Sequence, residues 1–511
     1  MKKTGLFLIV SFTLIIGIIL NWVSAPGVPE ASQERQKKTA IVDTGQLKCY
    51  DNRGQIACPE PGQPFYGQDA SYTANFPSYR DNHDGTVTDL STGLMWSKAV
   101  EGDKVSLLEA KELAKQMALG GYTDWRVPNI KELYSLMDFR GNTGFSREGY
   151  HAGVPADAIP FINTDYFDFA YGDVKAGERY IDAQWLSSTQ YVSTTVNGAA
   201  TLFGVNFADG RIKGYGYIRP GSSKEKKFYV RFVRGNAYGK NDFVDHGDGT
   251  ATDRSTGLMW MQEDSGKGMQ WADALEYAEE LVYAGYDDWR LPNAKELQYI
   301  VDYNRSPDTT QSAAIDSVFQ TTSIVNEAGE VDYPYFWTST THLDGPEPGK
   351  NAAYIAFGRA IGKMHGRIMD VHGAGAQRSD PKTGRPTFRG PQGDAIRAGN
   401  YVRCVRGGAV KSKTGPPAEN ITGYPYDINI QGVVRSNNQK DSKSIAGPGH
   451  AGRKFVERLD ANGDGRVSRS EFDGPKHRFK FHDQNNDGYL TEDEAPEGPR
   501  PTRRRLPGTS E

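Results

Sequence analysis

One segment of this sequence occurs twice: DGTVTDLSTGLMW at residues 84–96 and DGTATDRSTGLMW at residues 248–260. A second segment, GYTDWRVPNIKEL at residues 121–133, recurs as GYDDWRLPNAKEL at residues 285–297. The offset is 164 residues in both cases, from 84 to 248 and from 121 to 285. The sequence therefore predicts two copies of one domain in the middle of the chain.

Each copy opens with a hairpin pattern. Asp84-Gly85 precedes the alternating residues 86–88, which favours a turn leading into the apolar residues 94–96. The acidic segments DNHDGTVTD (81–89) and DHGDGTATD (245–253) lack the Glu that closes a calcium loop, so we interpret them as turns rather than metal sites.

Two helix patterns follow the hairpin. Apolar residues at helical spacing, Leu107, Ala110, Leu113, Ala114 and Met117, predict a first helix that ends at the Gly pair 120–121. Its counterpart in the second copy ends at Gly285, and Pro-Asn starts a second helix in each copy. The remaining paired segments are WLSST (185–189) with WTSTT (337–341) and YVRFVRG (229–235) with YVRCVRG (401–407).

The tryptophans indicate the predicted core of each copy, and two insertions indicate predicted loops. Seven of the eight Trp residues fall within the copies and six of them pair between copies, so we interpret them as core anchors. Residues 140–184 of the first copy and 365–399 of the second have no counterpart. Both are predicted to be long loops, either functional or disordered.

The N-terminus has the layout of an export signal. Lys2 and Lys3 precede an apolar run over residues 6–20. Residues 1–25 are either a cleaved signal peptide or a membrane anchor spanning residues 5–23. The protein is therefore expected to be exported, as a periplasmic, cell-surface or secreted protein, with membrane contact only through this segment.

Cysteine usage fits an oxidising compartment. Cys49 and Cys58 flank a short polar loop that a disulfide could close, within a Pro- and Gly-rich tether over residues 26–78. Cys404 is expected to be a small buried residue.

The chain has 60 basic and 64 acidic residues and a net charge of -4, which indicates no nucleic-acid partner. It offers no nucleophile-base set, His/Cys cluster or phosphate loop, so no catalytic residue is assigned and no enzyme activity is expected.

Two C-terminal loops carry the strongest chemical signal. DANGDGRVSRSE at residues 460–471 and DQNNDGYLTEDE at residues 483–494 fit the twelve-residue EF-hand loop, which holds Ca²⁺ with hard oxygen ligands. The loops start only 23 residues apart, from 460 to 483, which favours a static site. The predicted ligands of two Ca²⁺ ions are Asp460, Asn462, Asp464, Arg466, Ser468 and Glu471 in the first loop, and Asp483, Asn485, Asp487, Tyr489, Thr491 and Glu494 in the second.

The three paired segments, taken in order, closely resemble the Lcl C-terminal domain family over residues 79–408. The resemblance implies a C-type-lectin-like architecture, and DWRLPNAKEL with CVRGG is similar to formylglycine-generating enzymes of the same broad fold. Such an oxygen-dependent enzyme needs a cysteine pair, whereas Cys404 is alone and Ala278 stands where family members often have a Cys. The family's namesake belongs to a bacterial collagen-like adhesin that binds sulfated glycosaminoglycans, which implies extracellular binding.

The expected fold class is therefore α+β: two tandem C-type-lectin-like domains and a small α-helical EF-hand pair. The boundaries are 1–25 for the signal or anchor, 26–78 for the tether, 79–236 and 243–408 for the two domains, 409–452 for a linker, 453–496 for the EF-hand pair and 497–511 for a disordered basic tail.

Two functions follow as hypotheses. The first is an exported, adhesin-like calcium-binding protein that holds a glycan, such as a sulfated polysaccharide, or another surface polymer. The alternative is a structural component that assembles with an envelope protein, with calcium as a rigidifying ion. Basic residues of the second insertion could meet sulfate or carboxylate groups, and the candidates are Arg367, Arg378, Lys382, Arg385, Arg389 and Arg397.

Overall fold

The structure is a computed structural model. It describes residues 39–100, 103–408, 410–411, 427–428, 433–435, 456, 459–460, 464–469, 471–472, 479, 483 and 487–491. The predictions for residues 1–25 and 497–511 lie outside the described residues. In the described part, β-strands predominate and helices are few. None of the helices found there has the length and hydrophobicity that a bilayer crossing requires.

The first half of the described chain comprises a leading segment and the first repeat. The leading segment forms β1 (Cys49–Tyr50), β2 (Gln55–Ile56) and β3 (Tyr72–Thr73). The first repeat forms β4 (Tyr79–Asp81), β5 (Thr86–Asp89), β6 (Met95–Ser97), α1 (Leu107–Gln116), α2 (Ile130–Ser135), β7 (Phe169–Ala170), β8 (Gln184–Thr195), β9 (Ala199–Asn206), β10 (Arg211–Ile218) and β11 (Val233–Arg234).

The second half repeats this order and adds strands. It forms β12 (Phe243–Asp245), β13 (Thr250–Asp253), β14 (Leu258–Met261), α3 (Trp271–Glu279), α4 (Ala294–Tyr299), β15 (Ile324–Val325), β16 (Val331–Asp332), β17 (Tyr335–His342), β18 (Asn351–Ala356), β19 (Ile361–Met364), β20 (Arg367–Asp370), β21 (Gln377–Pro381), β22 (Thr387–Arg389), β23 (Asp394–Ile396) and β24 (Val405–Arg406). Short pairs follow: β25 (Val410–Lys411), β26 (Asp427–Ile428), β27 (Val433–Arg435), β28 (Val467–Ser468) and β29 (Tyr489–Leu490).

The sheets reproduce the repeat in space. The order β11-β6-β5-β4 in the first copy matches β24-β14-β13-β12 in the second. A six-stranded sheet, β17-β18-β21-β10-β9-β8, runs through both copies and is joined where Ile212 pairs with Gln377. Because β10 and β21 are antiparallel and the strand orders mirror each other across this junction, an approximate two-fold axis relates the repeats.

The repeated hairpin segment is built as the sequence predicts. Asp84 accepts hydrogen bonds from the backbone N–H and hydroxyl of Thr86, and Asp248 does the same for Thr250. These bonds close the turns that lead β4 into β5 and β12 into β13. The core role of tryptophan is confirmed, since every Trp of the repeats is buried: Trp96, Trp125, Trp185, Trp260, Trp271, Trp289 and Trp337.

The first helix of each copy is shorter than predicted. Helix α1 ends at Gln116 rather than at the Gly pair 120–121, and α3 ends at Glu279 rather than near Gly285. The chain then turns back in a two-residue connection, in which Leu119 pairs with Tyr122 and Tyr283 with Tyr286. Leu113, expected on the buried face, is 43% exposed.

The leading segment is part of the folded body. Val42, Thr44 and Cys49 are fully buried, and Cys49 and Cys58 form a disulfide. The side chain of Gln46 donates to the carbonyl of Thr341 at 2.8 Å and accepts from its backbone N–H at the same distance. The interpretation of residues 26–78 as a tether is therefore wrong for residues 39–78, because residues 41–46 are buried and Gln46 is hydrogen-bonded to the second repeat.

The two insertions are ordered as well. Residues 140–184 bury Phe161, Phe167 and Tyr180 in the core that both repeats share. Residues 365–399 form strands β20–β23. The prediction of a long loop is wrong for residues 365–399, whose strands complete the sheets. Residues 140–184 are largely loop, with the short strand β7, and their aromatic side chains are buried in the core.

A reciprocal pair of lysines joins the repeats where α2 lies against α4. Lys131 Nζ donates to the carbonyl of Tyr299 at 2.5 Å, and Lys295 Nζ donates to the carbonyl of Ser135 at 2.9 Å. Lys131 and Lys295 occupy matching positions, as do Ser135 and Tyr299. Lys295 also donates to the carbonyl of Asp43, so the same ammonium holds the leading segment.

Replacement of Lys295 by Met should destabilise the whole unit. The apolar side chain fills a similar volume but leaves the buried carbonyls of Asp43 and Ser135 without a donor, and each such group costs about 1–3 kcal/mol. We expect chemical denaturation to show a free energy of unfolding lower by about 2–4 kcal/mol. Lys115→Met, at an exposed lysine of α1, is the control and should change it by less than about 0.5 kcal/mol. Equal stability of the two variants would contradict this role.

Candidate functional site

The residues shared by both repeats are occupied by structural contacts. Arg126 forms a two-pronged ion pair with the buried Glu132 at 2.6 and 2.7 Å, and Arg290 pairs with Glu296 in the same way. Each glutamate also caps its helix, α2 or α4, through a reciprocal capping box with Asn129 or Asn293. The segment WRxPNxKEL is thus explained by helix capping and strand-to-helix cross-linking.

The arginines of the paired segments YVRFVRG and YVRCVRG also form contacts within the protein. Arg231 and Arg403 are fully buried, and their guanidinium groups donate to backbone carbonyls such as those of Ser97 and Met261. Arg234 pairs with Asp124 at 2.7 Å, and Arg406 pairs with Asp288 at 2.6 Å. These contacts recur in both copies, so the repeated basic residues serve the fold.

The six predicted ligand residues separate into two groups. Arg367, Arg385 and Arg389 are exposed, in β20, in the turn after β21 and in β22. The structure does not bring the other three to the surface with them. Arg378 is buried and pairs with Asp394, and Arg397 pairs with Glu327 at 2.9 Å. For these residues the prediction of a free basic loop is wrong.

Lys382 is the clearest departure from that prediction. Its side chain is fully buried, with Nζ 4.0 Å from the ring centroid of Trp271. The ammonium donates to the carbonyls of Tyr50 and Asp51 in the leading segment. Burial holds the pKa of Lys382 well below its usual range. This lysine therefore fastens the leading segment to the second repeat and is not available to a ligand.

Arg378 belongs to a buried polar network at the junction of the repeats. Asp394 accepts from Arg378 and lies 2.9 Å from His372 Nε2, while His342 lies 2.9 Å from the hydroxyl of Ser379. Burial, followed by the charge of a neighbouring arginine, lowers the pKa of both histidines to about 4. They are therefore neutral at physiological pH, and the network supports the sheet junction.

An open groove lies on the second repeat beside α3. Its volume is about 710 Å³, and we call it the second-repeat groove. One wall is the exposed face of α3, and the other is formed by the chain around residues 384–386 and 397–399. The side chains that define it are Lys267, Met269, Asp273, Glu276, Tyr277, Glu280 and Arg397. Sequence reasoning missed this site because its walls come together only through the ordered insertion.

The C-terminal loops contain a second candidate site. Asp460 accepts from the backbone N–H of Asp464 and of Gly465, at 3.2 and 2.7 Å. Asp483 accepts from Asp487 and Gly488 in the same pattern, at 3.0 and 3.1 Å. Strands β28 and β29 then pair Val467 with Leu490.

Carboxylates thus organise both loops from their first position. The described ligand candidates are Asp460, Asp464, Arg466, Ser468, Glu471, Asp483, Asp487, Tyr489 and Thr491, whereas Asn462, Asn485 and Glu494 lie outside the described residues. Within the described part, no group of three His, Cys, Asp or Glu side chains has metal-binding geometry.

Two carboxyl groups of the leading segment, those of Asp43 and Asp69, are buried. Asp69 accepts from the hydroxyls of Thr44 and Thr340, and with Asp43 it lines a cavity of about 10 Å³, room for about one water. Burial, and then the charge of Asp43, raise the pKa of Asp69 to about 8. Burial also raises the pKa of Asp43. No sequence pattern marks this pair, since it forms by contact between distant segments.

Fold and site together define a protein built from two fused, β-rich repeats whose shared residues maintain the scaffold. A sequence model of the Lcl C-terminal domain matches residues 85–234 and again 249–372, more than half of the chain. The protein therefore belongs to the Lcl C-terminal domain family, in tandem. Comparison with curated proteins and comparison with solved structures give no match.

Asp69 should make stability depend on pH. Its pKa is raised in the folded protein, so the folded state binds more protons than the unfolded state above pH 4, and stability falls as pH rises from about 4 to about 8. Asp69→Asn removes this proton and should flatten the fall, with an advantage over the unchanged protein that grows from pH 5 to pH 8. Urea unfolding at four pH values measures it. Glu112→Gln, at an exposed carboxylate, is the control, and equal slopes for both variants would refute the assignment.

Proposed function

We propose that this chain is an exported bacterial calcium-binding protein whose tandem C-type-lectin-like domains bind a glycan or other surface polymer. In this proposal residues 453–496 form an EF-hand pair that holds two Ca²⁺ ions. The paired C-terminal loops are the observation on which the proposal rests.

Loop geometry supports the calcium assignment. In an EF-hand the first carboxylate organises the loop, a glycine at the sixth position makes the sharp turn, and the eighth residues pair between loops. Asp460 and Asp483 take the first role, Gly465 and Gly488 have a φ of +84°, and Val467 pairs with Leu490. Val467 and Leu490 are fully buried in a small apolar cluster, so each loop braces the other.

The oxygen donors match the ion. Carboxylates, backbone carbonyls and hydroxyls are the hard ligands that Ca²⁺ prefers. Arg466 and Tyr489 directly precede Val467 and Leu490, at the seventh loop position, where an EF-hand supplies its backbone carbonyl ligand. An exported site needs an affinity of only roughly 10⁻⁴ to 10⁻³ M.

Polymer binding is proposed at the ordered insertion of the second repeat. Arg367, Arg385 and Arg389 are exposed on a framework of strands, and guanidinium groups bind sulfate and carboxylate through paired hydrogen bonds. The family resemblance favours a glycan as the ligand. Export is supported by the disulfide between Cys49 and Cys58, which is typical of oxidising compartments.

The fused repeats also favour a second candidate, a structural role in the cell envelope. Lys131, Lys295 and Gln46 hold the repeats and the leading segment in one body, as a rigid spacer requires. In that role calcium would rigidify the C-terminal loops, and an envelope protein would be the partner.

Calcium titration by calorimetry tests the loop pair. The full chain should bind two ions, and Asp460→Asn with Asp483→Asn should weaken binding by roughly tenfold or more because each change removes a charged ligand. Asp84→Asn with Asp248→Asn changes the same residue type in the two hairpin turns and should leave binding unaltered. Retained affinity in the first double variant would refute the calcium site.

A glycan array that includes sulfated polymers tests polymer binding. We expect binding by the full chain, and a loss of roughly tenfold when Arg367, Arg385 and Arg389 are all changed to Ala. Arg80→Ala, at an exposed arginine of β4, is the control. No binding to any glycan, together with capture of one envelope protein, would favour the structural role.

A further inference from the structure

The second-repeat groove has an acidic wall that the fold does not neutralise. Asp273, Glu276 and Glu280 lie three and seven residues apart on α3 and its end, so they share one helix face, and all three are exposed. Within the described part of the chain, none of them forms an ion pair. Among the residues that the structure describes, Lys267 has no ion-pair partner, whereas Arg397, the other cation of the lining, is paired with Glu327. Carboxylates therefore dominate the electrostatics of the groove.

In the first repeat, the acidic residues at the corresponding positions of α1 form ion pairs with lysines. Glu109 and Glu112 of α1 correspond to Asp273 and Glu276, with the offset of 164 residues. There Glu109 pairs with Lys227 at 2.9 Å and Glu112 pairs with Lys115 at 2.7 Å. The acidic face is thus matched by lysines in one copy and left unmatched in the other.

One residue accounts for much of this difference. Lys227 stands two residues before YVRFVRG, and Gly399 stands two residues before YVRCVRG. The flanking bridges agree with this alignment, since Val105 pairs with Phe228 and Met269 pairs with Asn400. The second repeat therefore has a glycine in the wall of the groove where the first repeat has the lysine that covers its acidic face.

The remaining lining residues suit a sugar chain. Tyr277 and Met269 present aromatic and apolar surface, and such surface with a few polar groups is the usual composition of a ligand site. Arg397 has a buried donor, Nη1, without a hydrogen-bond partner among the described residues. A ligand hydroxyl would give this donor an acceptor, and a donor without one is costly.

From these observations we propose that the second-repeat groove binds a polysaccharide that carries free amino groups. The ammonium groups of the polymer face Asp273, Glu276 and Glu280, and its hydroxyls face Arg397. This inference rests on the proposed glycan-binding function and names its ligand class, which differs in charge from the sulfated polymers expected at Arg367, Arg385 and Arg389.

Calorimetry with the full chain at pH 6 tests the ligand class. The probe is a fully deacetylated glucosamine hexamer, and the N-acetylated hexamer is its uncharged match. We expect the deacetylated hexamer to bind roughly tenfold more tightly or better, because charge-assisted hydrogen bonds to carboxylates are lost on acetylation. Equal binding of both hexamers would overturn the inference.

Variants locate the site. The backbone at Gly399 accepts a Cβ without a close contact, so Gly399→Lys can install the lysine of the first repeat. It should weaken hexamer binding by roughly tenfold, and Gly399→Met, of similar length but without charge, should weaken it less. Glu276→Gln should also weaken binding, whereas Glu112→Gln, the matched change in the first repeat, should not. Equal effects of Gly399→Lys and Gly399→Met, with folding intact by circular dichroism, would refute the electrostatic role.

Two further outcomes separate this inference from the proposed function. Binding of sulfated polymers without binding of the deacetylated hexamer would overturn the inference and leave glycan binding in place. No binding of any glycan would overturn both. A lysine hexapeptide that binds as tightly as the sugar would also overturn the inference, since the groove would then recognise a basic peptide.

Discussion

The structure depends on the reciprocal lysine contact between α2 and α4. An ammonium group removed from water must find oxygen acceptors, and the helix ends offer carbonyls that have no intrahelical donor. Lys131 and Lys295 use the last turn of the opposite helix in this way, and burial lowers the pKa of each to about 8. Because each lysine satisfies the other repeat's carbonyls, neither repeat completes its own polar contacts alone. The shared six-stranded sheet and the common aromatic core join the same two repeats.

Local patterns in the sequence predicted local structure well. The Asp-Gly turns and the two short helices of each copy follow from interactions within about ten residues, and the buried tryptophans follow from their large apolar surface. Helix ends were placed too late, because Gly120 and Gly285 lie in the compact turn that follows each helix rather than at the helix end itself. The leading segment was misread for a different reason. Its Pro- and Gly-rich composition is typical of a linker, yet Thr44 and Gln46 find partners about 25 and 295 residues away, which no local pattern reveals.

In the candidate sites, as in the fold, the sequence predicted the local features and missed those that depend on tertiary contacts. Spacing alone identified the C-terminal loops, since each ligand position is set within twelve residues. Charge counting identified six basic residues in the insertion but could not separate Arg367 from Lys382. The difference is tertiary: Lys382 lies over Trp271 and donates to the disulfide-closed loop, whereas Arg367 has no such cover. A basic residue is available to a ligand only when the fold supplies no acceptor for it, and acceptors are placed by the assembled structure.

Duplication allows one repeat to differ from the other at its surface without loss of stability. The residues identical in both copies, such as Arg126 and Arg290 with their glutamates, maintain helix caps and strand ends. Positions outside this set were free to diverge. At one of them the first repeat has Lys227 against Glu109, an exposed ion pair of the kind that contributes little to stability. Its loss in the second repeat therefore costs the scaffold little and leaves carboxylates open beside an ordered insertion. The repeat that has the additional sheet β20-β19-β23-β22 is also the one that has the groove.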